Sequence, residues 1–325
     1  MNNNDLIAFL AKNEARGASN VMCDDDCMFP YISIRKYHYY SYKVSGMNYK
    51  FHPNAGRMKH ICDYIQYIIA PNIDTKIDIS GNYKIELHDT IQPRDTSGGC
   101  FCFSKNATDR GDYVLFPDEY QMQNYHGLLT YYQDDLTWDL KKSKALFCGT
   151  STGSTIPSVN ERLNACDWAA KNASSFADFY ITRVAQMDES AIVSSYPSTH
   201  SLFLKKDIIP VKSHYDYRYL VNIAGNTCCW NRLPMIMNSN SLLLNVYNTD
   251  ICWYYPALHE GVNYVPVKLC GDMLYKTIQY YDANPLEAQI IVRNAHKFVN
   301  QFLSKTSSIL YTTNLFENIA HYYKK

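Results

Sequence analysis

Net charge, long apolar runs and paired cysteines are what this sequence lacks. Lys plus Arg total 31 and Asp plus Glu total 31, so the formal net charge is zero. A neutral chain has no field to gather a nucleic-acid backbone or an anionic membrane, and neither is expected as a partner beyond a local basic pocket. No apolar stretch reaches the roughly 18 residues of a membrane span. The 11 cysteines are odd in number and irregular in spacing, and "CDDDC" (Cys23, Cys27) and "CFC" (Cys100, Cys102) are not the paired arrangement of a zinc site. Free, mostly buried thiols in a reducing compartment are the expectation. The opening "MNNNDLIAFLAKNEARG" has no basic leader, and its short apolar part is interrupted by Lys12. The final "HYYKK" is not a retention signal. A cytoplasmic setting is expected, the host cytoplasm if the source is viral.

What is present suits a soluble globular protein of two domains. The 325 residues are 46% hydrophobic and 19% charged, enough to bury a large core. "DLIAFLAKNEA" predicts a short helix, and "YISIRKYHYYSYKV" alternates as a strand or hairpin. "RMKHICDYIQYIIA" carries Met58, Ile61, Cys62, Ile65, Ile68 and Ile69 at helical spacing. "TKIDIS", "YKIELHD" and "CFCFS" read as strands. After the Asp-rich "YYQDDLTWDLKKSK", the segments "ALFCG", "FADFYITRV", "YLVNIAG", "SLLLNV" and "VNYVPV" read as buried strands with helices between them. Alternating strands and helices argue for an α/β chain with two mostly parallel sheets. The expected division is residues 1–140, 141–290 and a helical 291–325.

Ligands of α/β layers sit in loops at the carboxyl ends of strands, and three loops here have that position. In "FCGTSTGSTIPSVNERL" a strand ends at Gly149 and runs into Thr150, Ser151, Thr152 and Gly153, small residues that let backbone N–H groups approach an anion. Arg162 can add a fork of donors. No G-K-[ST] follows, so this is not a P-loop, and a plain surface loop is the plainer alternative. In "YLVNIAGNTCCWNRLPMIM" the turn Gly225-Asn226-Thr227 leads past Trp230 to a helix with Arg232 at its mouth and Pro234 in its first turn. Such a mouth offers free N–H groups to a phosphate, with Arg232 adding charge; the alternative is a connection whose Gly225 only needs a positive φ. In "IELHDTIQPRD" Asp89 ends a strand and can serve as a general base or merely as a strand-end cap. His88 is adjacent, but neighbours on a strand face opposite sides, so a His88–Asp89 dyad is not expected.

Five segments in order, "CMFPYISIRKYHYYSYK", "IELHDTIQPRD", "FCFSKNATDRGDYVLFPD", "KKSKALFCGTSTGSTIPSVNERL" and "YRYLVNIAGNTCCWNRLPMIMNSNSLLLNVYNTDICWYYPALHEGVNYVPVK", resemble family 90 glycosyltransferases. These include protein O-glucosyltransferases, capsule xylosyltransferases and lipopolysaccharide-type relatives. The last block is the most specific. The resemblance covers about Cys27 to Lys268 and implies a GT-B fold, two Rossmann-like domains facing a cleft, with final helices that return to the first domain. It implies inversion at the anomeric carbon, no metal and no cofactor beyond a UDP-sugar donor. Asp89 stands at the position of the family's acceptor base.

The chain departs from the family at Cys148 and Ser151, where relatives carry Arg, and at Ala224, where many carry Asp. Diphosphate charge is therefore expected to fall on Arg162 and Arg232. The function so implied moves glucose or xylose to a hydroxyl of a glycan, lipopolysaccharide-like or protein acceptor. A non-catalytic module with a degenerate glycosyltransferase fold that still binds glycan or nucleotide-sugar is the alternative.

Overall fold

The structure, a computed structural model, describes residues 2–37, 41–89, 99–108, 113–123, 133–205 and 207–323. They divide into two units. One comprises Met1–His126, Thr249–Pro256 and Gln301–Lys325, the other Gly127–Asn248 and Ala257–Asn300. This differs from a cut at residue 140, and the chemistry of Asp134 explains why. Its carboxylate is buried, takes the Lys141 ammonium at 2.7 Å, and accepts the Asn240 backbone N–H at 2.8 Å. The Asp-rich stretch is thus pinned into the second unit. Asp134 is an interior ion pair rather than the surface carboxylate its sequence neighbourhood suggests.

In the second unit, strands β7 (Lys142–Thr150), β8 (Ala177–Arg183), β9 (Tyr217–Asn222), β10 (Leu242–Val246) and β12 (Val265–Val267) form one sheet. All its pairings are parallel, in the order β12-β10-β9-β7-β8. Helices cover such a sheet, which is why Ala145 to Gly149 read as an unbroken small or apolar run. Phe147, Phe179, Ile181, Tyr219, Val221, Leu242 and Leu244 interlock with Leu163 and Cys166 of the helix Glu161–Asn172, and with Ile278 and Ile291 of two later helices. Counted by their order in this unit, the strands run 2-1-3-4-5, so the winding direction reverses between β7 and β9. A crevice opens at the carboxyl ends of two such strands, because their connections leave toward opposite faces.

The first unit begins with helix α1 (Asn3–Arg16), whose Asn2 and Asp5 close a capping box. Strands β1 (Tyr31–Lys36), β2 (Tyr42–Met47) and β3 (Gly81–Lys84) make an antiparallel sheet in the order β2-β1-β3. Beyond β3, Ile85 bridges Phe101 of β4 (Phe101–Cys102) in parallel, and β4 pairs in parallel with β6 (Val114–Leu115). The expectation of a mostly parallel sheet here is corrected: only five residues separate β1 from β2, too few for the crossover that a parallel pair needs. "TKIDIS" is not a strand, because Asp74 and Asp78 take the N–H groups of Lys76 and Ser80, each at 2.9 Å, and turn the chain instead. Helix α2 (Ala55–Tyr64) continues into a π turn over Ile65–Ile69.

The core of this unit is aromatic. Phe316 of the helix Lys305–Tyr323 meets Tyr83 at 5.3 Å and Phe101 at 5.6 Å, and Tyr311 stacks on Trp253 at 4.3 Å. Among the described residues, no helix is long and apolar enough to cross a membrane.

Candidate functional site

The loops that leave β7 and β9 converge where the winding reverses. Leaving β7, Ser151 is fully buried. Its hydroxyl donates to the Ala185 carbonyl at 2.9 Å and accepts the Ala185 N–H at 2.8 Å, anchoring the loop to the end of β8. Asn160 ties the loop back on itself through the Ser151 and Ser154 carbonyls, at 3.0 and 2.8 Å. The same side chain caps the following helix by accepting the Leu163 N–H. Gly153 takes a φ of 123°, which L side chains avoid, and its N–H reaches Asn226 Oδ1 at 3.0 Å. The two loops are therefore hydrogen-bonded to each other.

Arg162 stitches them a second time. Its Nε donates to the Ala224 carbonyl at 2.9 Å, its Nη1 to the Thr150 carbonyl at 2.9 Å and to Thr152 Oγ1 at 2.6 Å. Its Nη2 takes the Ile223 carbonyl at 3.0 Å and the Cys229 sulfur at 3.3 Å. A guanidinium has five N–H groups, and all five are committed to the protein. Arg162 thus contributes charge and loop geometry; its donors are not available for a fork to a phosphate, and that part of the sequence expectation is corrected.

Arg232 is disposed differently. Its Nη2 donates to the Cys148 carbonyl at 2.7 Å, and its Cζ lies 4.8 Å from the Phe147 ring centroid. Its Nη1 is buried without a hydrogen-bond partner. Burial pushes this guanidinium down to about 10, helped by the second cation, Arg162. Among the described residues neither arginine has a carboxylate in ion-pair range. Two adjacent cations with no counter-charge are costly in an interior, and an anion is the group that offsets that cost.

The glycines explain how close the parts lie. A Cβ on Gly149 would sit 2.8 Å from Arg232 Nη2, and one on Gly225 would sit 2.6 Å from Thr152 Oγ1 and 2.8 Å from Arg162 Nη2. Gly225 has no positive φ, so it is needed for close approach alone; the left-handed position is Gly153. The Gly225 N–H turns back to the Thr227 carbonyl at 3.1 Å, and Trp230 is buried just beyond. The helix that follows is only Arg232–Met237. With fewer than two turns its dipole is weak, so the expected phosphate seat at its mouth reduces to the Arg232 side chain.

In the first unit, Asp89 follows the strand end and is partly exposed. Its Oδ1 accepts Arg57 Nη2 at 2.8 Å, and its backbone carbonyl accepts the Ser104 hydroxyl at 2.7 Å. Arg57 also donates Nη1 to the Leu87 carbonyl at 2.7 Å, and its Nε lies 3.4 Å from Glu119 Oε2. The rest of the motif, 90–95, lies outside the described residues. Arg57 carried no signal in the sequence, because it sits on a helix whose apolar spacing already accounted for the segment.

Three groups near Asp89 have the composition of a cation site: His52, Glu86 and His88, with ligand atoms within 4.8 Å of one another. Their hydrogen bonds favour a different reading. The Asn54 N–H donates to His52 Nδ1 at 3.0 Å, and His88 Nδ1 lies 2.7 Å from Glu86 Oε1 and 3.2 Å from His52 Nε2, so the three groups are hydrogen-bonded among themselves. Burial, and then the neighbouring His88, depress His52 below the ordinary histidine value. The acidic "CDDDC" contributes no such cluster; Asp25 instead pairs with Arg35 at 2.7 Å.

Residues 121–325 match the family described as Glycosyl transferase family 90. Protein O-glucosyltransferase 1 of Mus musculus is 24% identical over 295 residues, which are 90% of this chain and 67% of that protein. O-glucosyltransferase LpsA of Dichelobacter nodosus is 32% identical over 98 residues, 30% of each chain. Among solved structures, TarM aligns with a TM-score of 0.41 at 12% identity, over 57% of this chain and 36% of that one.

Proposed function

Because this chain belongs to glycosyl transferase family 90, we propose that it transfers glucose or xylose from a UDP-sugar to a hydroxyl of a glycan, lipopolysaccharide-like or protein acceptor, with inversion and without a metal ion. The observation that carries the donor half is the Arg162 and Arg232 pair. Two cations without a carboxylate lie beside the carboxyl ends of β7 and β9, where the sheet reverses its winding. A diphosphate supplies the missing negative charge, and Arg232 Nη1 is the donor with nothing yet to bind. Gly149, Thr150, Ser151, Thr152, Gly153, Gly225, Asn226, Thr227 and Trp230 shape the loops around them.

Asp89 supplies the acceptor half. Inversion needs one base, on the face of the sugar opposite the leaving group. The carboxylate takes the proton of the acceptor hydroxyl as that oxygen bonds to the anomeric carbon. The bond from that carbon to the phosphate oxygen breaks, and UDP departs with the electron pair, its charge met by Arg232 and Arg162.

The test is calorimetric titration with UDP, GDP, UDP-glucose and UDP-xylose, followed by assay of UDP release from the two sugars. Micromolar UDP binding with sugar-dependent release is the expected result. No UDP binding would overturn the reading, and binding without release from either sugar would leave a nucleotide-sugar binding module.

A further inference from the structure

We propose that Arg57 is the positioning residue for Asp89, holding its carboxylate in the orientation that proton abstraction requires. The inference rests on the reading of Asp89 as the base.

A carboxylate on one methylene swings freely unless something outside its own chain fixes it. Arg57 arrives from the first turn of α2, far from Asp89 in sequence, and places a rigid planar fork on two points of the strand end at once. One tine, Nη1, takes the Leu87 carbonyl at 2.7 Å; the other, Nη2, takes Asp89 Oδ1 at 2.8 Å. The backbone of residue 87 and the side chain of residue 89 are thereby locked to one plane. The Ser104 hydroxyl on the Asp89 carbonyl fixes the remaining backbone freedom.

The clamp is itself held. Glu119 faces the Arg57 Nε at 3.4 Å and accepts from Gln123 Nε2 at 3.0 Å, with His60 Nδ1 at 2.8 Å. Phe103 packs against the guanidinium at 5.8 Å, and only 17% of the Arg57 side chain is exposed. A purely surface ion pair would have none of this support and would contribute little. Here a guanidinium anchored from a neighbouring helix aims a partly exposed carboxylate, which is how a base is pre-organised before its substrate arrives.

A lysine at position 57 would keep the charge but could not grip both Leu87 and Asp89, and a methionine would keep the volume and neither grip nor charge. The experiment compares the parent, Arg57→Lys, Arg57→Met, Asp89→Asn and the double variant Arg57→Met/Asp89→Asn. The readout is steady-state UDP release from UDP-glucose and UDP-xylose with water as acceptor, alongside UDP affinity and the unfolding midpoint.

Arg57→Met is expected to lose roughly 10²-fold in kcat and Arg57→Lys roughly 10-fold, with donor KM and UDP affinity within about twofold of the parent. The double variant should be no slower than Asp89→Asn, because Arg57 acts through Asp89. Parent-like kcat in folded Arg57→Met overturns the proposal, as does a double variant another 10²-fold below Asp89→Asn. If Arg57→Met does not fold, Arg57→Lys decides, and parent-like turnover there overturns it equally. Failure of the underlying reading looks different: Asp89→Asn itself would turn over at the parent rate, or the parent would bind UDP and release none.

Discussion

Arg232 Nη2 reaches the carbonyl oxygen of Cys148 at 2.7 Å, through space that the next residue, Gly149, leaves open by having no side chain. Adding a methyl there puts carbon 2.8 Å from that nitrogen and equally close to the Phe147 ring. Gly149→Ala should therefore displace the guanidinium and weaken UDP binding by about 1.5–3 kcal/mol, roughly 10- to 100-fold. Isothermal titration of folded protein checks this. Unchanged UDP affinity would mean that Arg232 does not face the nucleotide.

The two arginines should fail in different ways. Arg162→Ala removes the side-chain donors that stitch the two loops, leaving only the Gly153 N–H on Asn226, and strands several buried carbonyls, so it should cost on the order of 3 kcal/mol or more of stability. Arg232→Ala leaves only the Cys148 carbonyl behind and should chiefly weaken UDP. Paired urea melts and UDP titrations separate these outcomes; equal stability loss in both variants would contradict the division of labour.

Gly225→Ala should injure the Arg162 lattice without any backbone strain, since the glycine holds an ordinary φ and only closeness forbids a side chain. The Thr152→Ser, Gly225→Ala double variant still meets the Thr152 oxygen and Arg162, so it should not recover. Recovery of UDP affinity in that double variant would show that the threonine methyl was the obstacle.

His214 gives a pH prediction. Burial, and the nearby Arg232 cation, lower it from 6.5 to about 4. The unfolded chain then binds the proton more readily, so the stability this group contributes is present above about pH 6.5 and is lost as pH falls toward 4. Between pH 7 and 5 the loss is about 2 kcal/mol. Asp118 opposes it: burial raises that carboxyl to about 7, so acid relieves a penalty over the same range. The difference between parent and His214→Gln isolates the histidine, and the gap in stability between them should shrink on acidification. A gap that is constant from pH 7 to pH 5 would refute the assignment.

Chelation supplies the last test. Hydrogen bonds already engage His52 Nδ1, through Asn54, and His88 Nδ1, through Glu86, so EDTA should leave UDP release within about twofold of the untreated rate. Loss of turnover restored by manganese would return His52, Glu86 and His88 to consideration as ligands.

Much of the second unit was legible in the sequence because its strands are buried on both faces and flanked by glycine, as at Ala145 to Gly149. Its loops were legible as loops, but not the assignment of their donors: nothing in the string of letters reveals that Arg162 is spent on Ala224, Thr150 and Ile223. Arg57 was invisible for a related reason, since its partner lies 32 residues away and no periodicity links a helix turn to a strand end. "TKIDIS" misled because alternation predicts a strand only when aspartates do not claim the neighbouring N–H groups first. The short helix at Arg232–Met237 was overestimated because Pro234 and the apolar run mark where a helix begins, not how long it lasts.

The return of the helix Lys305–Tyr323 to the first unit has a consequence for biosynthesis. Phe316 and Tyr311 complete an aromatic core whose other members, Tyr83, Phe101 and Trp253, all precede them in the chain. Until residues near 316 leave the ribosome, that core has an open side, whereas the second unit needs nothing past residue 300. Of the two units, the one that opens earlier in the chain is thus the one that finishes folding later, and its aromatic surface stays exposed in the interval, when chaperone contact or aggregation competes with closure.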